Sequence, residues 1–364
     1  MTDADGLCSL RWDPVRQVVE VIDQTLLPHE LLWRQLDSLS DCCRAISTMQ
    51  VRGAPLIGIT AAFGLACALR DDGTDASMDA ACAALLNTRP TAVNLRWALD
   101  QVTARVRALP PVRRYRAALD TALALRRADI ASCARIGEHG LRLLQRLELA
   151  RPVNIMTHCN AGWLATVAWG TALAPVYKAR AAGVAVHVWV SETRPRNQGM
   201  NLTAWELQRA GVPCTVVVDN SCGQLLQRGL VDCVLVGSDR VAANGDVCNK
   251  IGTYLKALAA RANQVPFYVA LPISTIDWQC PAGEQIPIEN RDAAEVLSIA
   301  GRDAGGATVE VGLAAPGSRA LNPAFDVTPA HLVSALITEH GIFSADPTGL
   351  APLRAHQVFS SRPM

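Results

Sequence analysis

The chain reads as an α/β protein in two parts, a mainly helical first part and a second part built on a parallel sheet. Three observations point there. Residues 76–148 are rich in Ala, Leu and Arg at helical spacing. Beyond Arg151-Pro152 the texture changes to short apolar runs, VNIMTHC, AVHVWVSE, CTVVVD, VDCVLVGSD and PFYVALP, separated by helical segments. Those runs are continuous rather than alternating, as in a sheet covered on both faces with right-handed crossovers. We therefore divide the chain into residues 1–145 and 146–364.

The elements follow in order. SLRWDP and VRQVVEVIDQTLL read as a short hairpin turning at Asp13-Pro14. Residues 30–70 read as helical, punctuated by Arg52-Gly53-Ala54-Pro55, with Pro55 suited to the first turn of the next helix. Pro110-Pro111 breaks the helical region that follows. The arginines at 105, 107, 113, 114 and 116 read as a solvated helical face. The longest apolar stretch, AGWLATVAWGTALAPVY, is interrupted by Gly170 and Pro175 and reads as a buried helix rather than a membrane span.

Composition narrows the classes of function. Of 364 residues, 50% are hydrophobic and 18% charged, enough for a sizeable core. A net charge of +1 gives no electrostatic case for nucleic acid or for an anionic membrane, though a small anion needs only a local cluster of donors. The twelve cysteines are scattered, with no C-x-x-C pair. Several sit in apolar runs, as Cys67 and Cys233 do, and read as small buried hydrophobes. The first residues, MTDADGLCSLRWD, lack a basic segment followed by an apolar one, so the expected home is a reducing cytoplasm.

In an open parallel sheet the ligand lies beyond the carboxyl ends of the strands. Those ends are Thr157-His158-Cys159-Asn160, Ser191-Glu192-Thr193-Arg194, Asp219-Asn220, Ser238-Asp239-Arg240 and Pro272, four of them polar, and they are expected to converge on one crevice. No Gly-x-Gly-x-x-Gly follows a strand, no Walker A motif occurs, and neither His-Glu-x-x-His nor a cysteine quartet argues for a metal. Cys159 is either a packing cysteine or a reactive one. Its place after a strand and before an apolar helix would lower its pKa. His158, its neighbour, points to the opposite face, which argues against a Cys–His dyad. Asp239 is either a cap or a general acid/base whose pKa an apolar pocket raises. Arg52 and Arg89 stand among glycine, proline and apolar neighbours, not in an ordinary solvated run. Asn249-Lys250-Ile251-Gly252-Thr253 offers donors to a phosphate near a helix start.

As a set, RGAPLIGITAAFGLA, RPTAVNLRWAL, THCNAGWLAT, ETRPRNQGMNLTAWEL, GSDRVAANGDVCNKIGTY, IPIENR and NPAFDVTP resemble the 5-methylthioribose-1-phosphate isomerase family, in the family's order over residues 52–329. That family is related to the regulatory subunits of eukaryotic translation initiation factor 2B and to ribose-1,5-bisphosphate isomerases. The resemblance implies a helical N-terminal domain with a small sheet, a Rossmann-like C-terminal domain and a homodimer. It implies catalytic roles for Cys159 and for Asp239 as proton donor. Substrate binding would fall to Arg52, Gly53, Ala54, Arg89, Gln198, Asn249 and Lys250, acting on a small sugar phosphate with no metal or organic cofactor. The chain departs from the usual pattern at Ser238 (usually Ala), at Asn201 (usually Arg) and at Cys248 (usually a small residue). Two other classes stay open, an isomerase of a related sugar 1-phosphate and a non-catalytic regulatory protein.

Overall fold

A computed structural model describes residues 7–147 and 149–360. Residues 1–6 of the N-terminal stretch on which the cytoplasmic expectation rests lie outside the described residues.

Strands β1 (Leu10–Asp13), β2 (Val18–Ile22) and β3 (Trp33–Leu36) form an antiparallel sheet in that order. The expected hairpin is there, its turn closed by the Asp13 carboxylate, which accepts from the N–H of Val15 (2.8 Å) and of Arg16 (3.0 Å). Strand β3 corrects the helical reading of residues 30–70. Four residues are too few for a periodicity, and ladder bonds to β2, pairing Ile22 with Trp33 and Val19 with Leu36, decide the backbone.

Five helices follow, α1 (Leu39–Ser47), α2 (Ala54–Asp71), α3 (Asp75–Thr88), α4 (Val93–Val106) and α5 (Pro111–Gln145). Ser38 caps α1 and Thr74 caps α3, each accepting a backbone N–H from three residues on. Pro55 lies in the first turn of α2, as expected, and α2 runs through the middle of the helical layer with nearly all its side chains buried. By length and composition alone α2 could cross a membrane; here its apolar surface forms the core of the first part. Arg114 departs from the expected solvated face. It is buried, and its guanidinium donates to the carbonyls of Arg107 and Leu109 beyond α4 and of Gly73 beyond α2, while pairing with Asp75 at 2.7 Å. It satisfies carbonyl groups that the helix ends leave open.

The second part contains β4 (Val153–Thr157), α6 (Ala174–Ala181), β5 (Val186–Ser191), α7 (Ala204–Arg209), β6 (Cys214–Val217), α8 (Cys222–Gln227), β7 (Cys233–Val236), β8 (Arg240–Ala242) and β9 (Val247–Lys250). It continues with α9 (Thr253–Ala262), β10 (Phe267–Ala270), β11 (Ile276–Asp277), α10 (Ala294–Leu297), the hairpin β12 (Ser298–Arg302) and β13 (Thr308–Gly312), β14 (Phe325–Thr328), β15 (Ala335–Thr338), β16 (Gly341–Phe343) and α11 (Pro347–Ser360). All five predicted strands are present. The large sheet has the order β16-β15-β10-β7-β4-β5-β6, parallel except for β16. Counted in chain order, its parallel strands run 3-2-1-4-5-6, the doubly wound order. Ile155, Val188 and Leu235 enter one core cluster while Met156, Val234 and Val236 enter another. Adjacent strand residues face opposite ways, so both faces are covered, which explains the continuous apolar runs.

The apolar stretch 161–177 is buried, but it is not one helix. It forms a short 3₁₀ turn at Trp163–Ala165, and α6 begins only at Ala174. Side chains take the N–H groups a helix would use: Glu206 accepts from Trp163 and Leu164, and Asp129 from Val167 at 2.7 Å.

Candidate active site

The winding order reverses between β4 and β7, and ligands of open α/β sheets bind outside the carboxyl ends at such a point. Cys159 follows β4 by two residues and Asp239 follows β7 by three, and both line one cleft. The other seven residues singled out line it too: Arg52, Gly53 and Ala54 at the start of α2, Arg89 after α3, Gln198 ahead of α7, and Asn249 and Lys250 ending β9. The cleft is therefore walled by both parts of the chain.

Not every strand end reaches it. Pro272 after β10 does, but the residues directly after β5 and β6 do not. The strand order carries those two ends away from the switch point. Asp219 is also occupied elsewhere, accepting from the hydroxyl of Ser191 and from the N–H of Thr193 (2.9 Å) and Arg194 (2.8 Å).

Cys159 has a left-handed backbone, φ 61°. Its N–H donates to Thr193 Oγ1 (2.8 Å), its carbonyl accepts from Thr203 Oγ1 (2.7 Å), and its thiol donates to Gln198 Oε1 (3.3 Å). The expected helix N-terminus is not at Cys159, so its dipole lowers nothing. Burial pushes the thiol above its ordinary pKa, against the pull of Arg52 and Lys250. His158 turns away from the thiol, donating from Nε2 to the carbonyl of Ile251 at 2.7 Å. Burial, reinforced by Lys256, depresses its pKa to about 3, so the ring is neutral.

Asp239 is half-buried, and among the described residues no hydrogen bond or ion pair engages its carboxyl. Burial raises its pKa; Lys250, Arg52 and Arg89 oppose that and Glu289 adds to it. Lys250 Nζ lies over the Phe325 ring, 4.9 Å from its centroid, and among the described residues meets no carboxylate. Burial lowers its pKa, against Cys159 and Asp239. Arg52 is 7% exposed, and among the described residues its guanidinium donates to the side-chain and main-chain oxygens of Asn160, not to a carboxylate. Arg89 donates to Glu289 at 3.2 Å and to Met49 Sδ at 3.1 Å, and its Nε is buried without a partner. Buried charge in a protein is normally paired. Two cations lacking a carboxylate, facing one cleft, make a site for an anion. Among the described residues no group of three or more His, Cys, Asp or Glu could hold a metal ion.

Three residues hold the loop after β4: Asn160 and Thr193, which the sequence places at strand ends without a particular role, and Glu206, which sequence reasoning missed. Glu206 is fully buried and accepts from Asn160 Nδ2 (2.7 Å), Leu164 N–H (3.0 Å), Trp163 N–H (2.8 Å) and Tyr177 OH (2.9 Å). An acidic residue inside the apolar run LTAWEL was the available signal.

The fold agrees with what comparison finds. Residues 50–345 match the model of the "Initiation factor 2 subunit family", and the chain belongs to that family. Within it, the chain is 58% identical over 338 residues to a methylthioribose-1-phosphate isomerase of Methylorubrum populi, covering 92% of this chain and 93% of that one. It superposes on the crystal structure of 5-methylthioribose 1-phosphate isomerase from Pyrococcus horikoshii with a TM-score of 0.81 at 35% identity, covering 96% of each chain. A structure described as translation initiation factor eIF-2B, subunit delta, from A. fulgidus matches with a TM-score of 0.75 at 36% identity, covering 93% of this chain and 96% of that one.

Proposed function

We propose that this chain is an aldose–ketose isomerase that converts 5-methylthioribose 1-phosphate to 5-methylthioribulose 1-phosphate, a step of methionine salvage. The observation that carries the reading is the meeting of Cys159 and Asp239 at the switch point, in a cleft whose cations Arg52 and Lys250 have no carboxylate partner. The relatives named above support it. The apolar side of the cleft, Met49, Ile57, Ile286 and Phe325, suits a methylthio group.

A sugar whose anomeric oxygen carries phosphate cannot open by ordinary mutarotation, so the enzyme assists departure of the ring oxygen. Asp239, its pKa raised by burial, is the acid that protonates that oxygen. Hydrogen then moves from C2 to C1. In one route Cys159, as thiolate, takes the C2 proton to give the enol, which is protonated at C1; in either route the 2-hydroxyl proton passes to the Asp239 carboxylate left by the first step. Arg52, Arg89 and Lys250 hold the phosphate or the developing oxyanion. A second route, transfer of hydride from C2 to C1, draws on a specific feature: the thiol is pushed up in pKa and donates to Gln198, so the resting cleft holds a thiol. Running the reaction in heavy water separates the two. Deuterium at C1 supports the proton route; full retention of the C2 hydrogen supports the hydride route.

The test of the function is incubation of the pure protein with 5-methylthioribose 1-phosphate, ribose 1,5-bisphosphate and 5-deoxyribose 1-phosphate, with product followed by NMR. Preferred turnover of the first is expected; turnover of none would favour a regulatory role. Arg52→Ala and Arg89→Ala should each weaken substrate binding by about 1.5–3 kcal/mol, the scale of a charge-assisted hydrogen bond, with unchanged KM removing them from the site. The homodimer, the division at residues 145/146 and the cytoplasmic location belong to the same proposal. All twelve cysteines are free of disulfides, which suits a reducing compartment.

A further inference from the structure

Arg52 enters the cleft from the first part of the chain, yet what orients it comes from the second. Its NH2 group donates to the carbonyl of Asn160 at 2.8 Å, and its NH1 group to the same residue's side-chain oxygen. An amide can present its oxygen to Arg52 only if its NH2 faces the other way. Asn160 Nδ2 does so, donating to Glu206 Oε1 (2.7 Å) and Thr203 Oγ1 (3.1 Å). Glu206 therefore sets which end of the Asn160 amide meets the guanidinium.

Glu206 is itself firmly held. Each carboxyl oxygen accepts two donors, Oε1 from Asn160 and Leu164 and Oε2 from Trp163 and Tyr177. The space around it is shaped for it: a Cβ on Gly162 would come within 2.0 Å of Oε2. No cation touches Glu206 among the described residues, so it acts on Arg52 through the Asn160 amide. Arg52 keeps donors beyond the two in use, since a guanidinium carries five N–H groups.

We infer that Glu206 is a positioning residue that acts through Asn160 to aim the Arg52 guanidinium at the anion of the substrate. The inference rests on the proposed function for the identity of that substrate, but the aiming itself concerns any anion in the cleft. It also gives Glu206 a role other than holding the loop: loss of Glu206 should be felt at Arg52, and only there, in anion affinity.

The test is a double-mutant cycle on inorganic phosphate, its Kd measured by titration calorimetry in four proteins: wild type, Glu206→Gln, Arg52→Ala and the double variant. Glutamine keeps the shape but turns an N–H pair toward groups that need an acceptor. Glu206→Gln should raise the phosphate Kd about tenfold in the wild-type background and change it less than twofold when Arg52 is already absent. Equal effects in both backgrounds would overturn the inference, as would no measurable phosphate binding by the wild type. If Glu206→Gln does not fold, Asn160→Ala serves in its place, with the same expected coupling and the same overturning result. For the turnover reaction the expected signature is a rise in KM with kcat changed less. A wild type that binds phosphate with this coupling but isomerises no sugar phosphate would sink the proposed function and leave the relay intact.

Discussion

Cys159 and Asp239 both carry pKa values raised by burial, and the pH profile of turnover depends on which protonation states are needed. In the proton route Asp239 must be protonated and Cys159 ionised. Activity then rises with pH up to the Asp239 pKa, stays level, and falls only above the thiol pKa. In the hydride route only the protonated acid is needed. Activity is then level at low pH and falls as pH climbs through the Asp239 pKa. A profile of kcat/KM therefore discriminates the routes independently of isotopes. Cys159→Ser and Asp239→Asn should each lower turnover by roughly 10²–10⁴-fold if the two work as base and acid, with modest effects on affinity. Near-normal turnover in either variant would remove that residue from the chemistry.

Among the elements, α2 is constrained at its very start. Gly53, which precedes it, has φ 96°, and a Cβ there would meet the carbonyl oxygen of Ala165 at 2.4 Å. Gly53→Ala is expected to cost about 2 kcal/mol or more, from strain plus the clash, and to displace Arg52. A denaturant midpoint unchanged from wild type would contradict this. The same contrast between local and distant causes governs what the sequence made legible. β4, β5, β6, β7 and β10 were readable because a strand covered on both faces leaves a continuous apolar run. Cys159 and Asp239 were readable because strand ends in such a sheet carry the ligand. β3 was not, since four residues show no periodicity, nor were the irregular path from Trp163 to Leu173 and the pairings of β11 with β8 and of β14 with β9, since their partners lie far along the chain. Glu206, and the role though not the place of Asn160, escaped for the same reason: these roles exist only once α7 packs beneath the loop after β4.

Over the whole molecule, the two parts meet around the cleft through polar links. Arg52 reaches Asn160, Arg89 reaches Glu289, Asn94 reaches Ser274 at 3.1 Å, and Arg240 donates to the carbonyl of Thr91. A ligand that contacts Arg52 and Lys250 together adds one more link. At a hundredfold excess over Kd it should stabilise the fold by about 2.7 kcal/mol, seen as a raised Tm. No shift with 5-methylthioribose 1-phosphate would argue that it does not occupy the cleft. Equilibrium sedimentation is expected to give a dimer at micromolar concentration, a monomer counting against the proposed assembly.

The distribution of the thiols has a consequence for chemical labelling. Four cysteines, Cys43, Cys67, Cys82 and Cys214, are half-buried, whereas Cys159 is enclosed; burial pushes up the pKa of Cys43, Cys82 and Cys214 as it does that of Cys159, while the hydrogen bond with Cys42 lowers that of Cys67. A thiolate is the attacking species in alkylation, and access limits the reagent further. Titration with a small alkylating agent at neutral pH should therefore consume the half-buried thiols, Cys67 first, while catalytic competence persists. Inactivation should lag behind mass increments read on the intact chain, and saturating sugar phosphate should lengthen the lag.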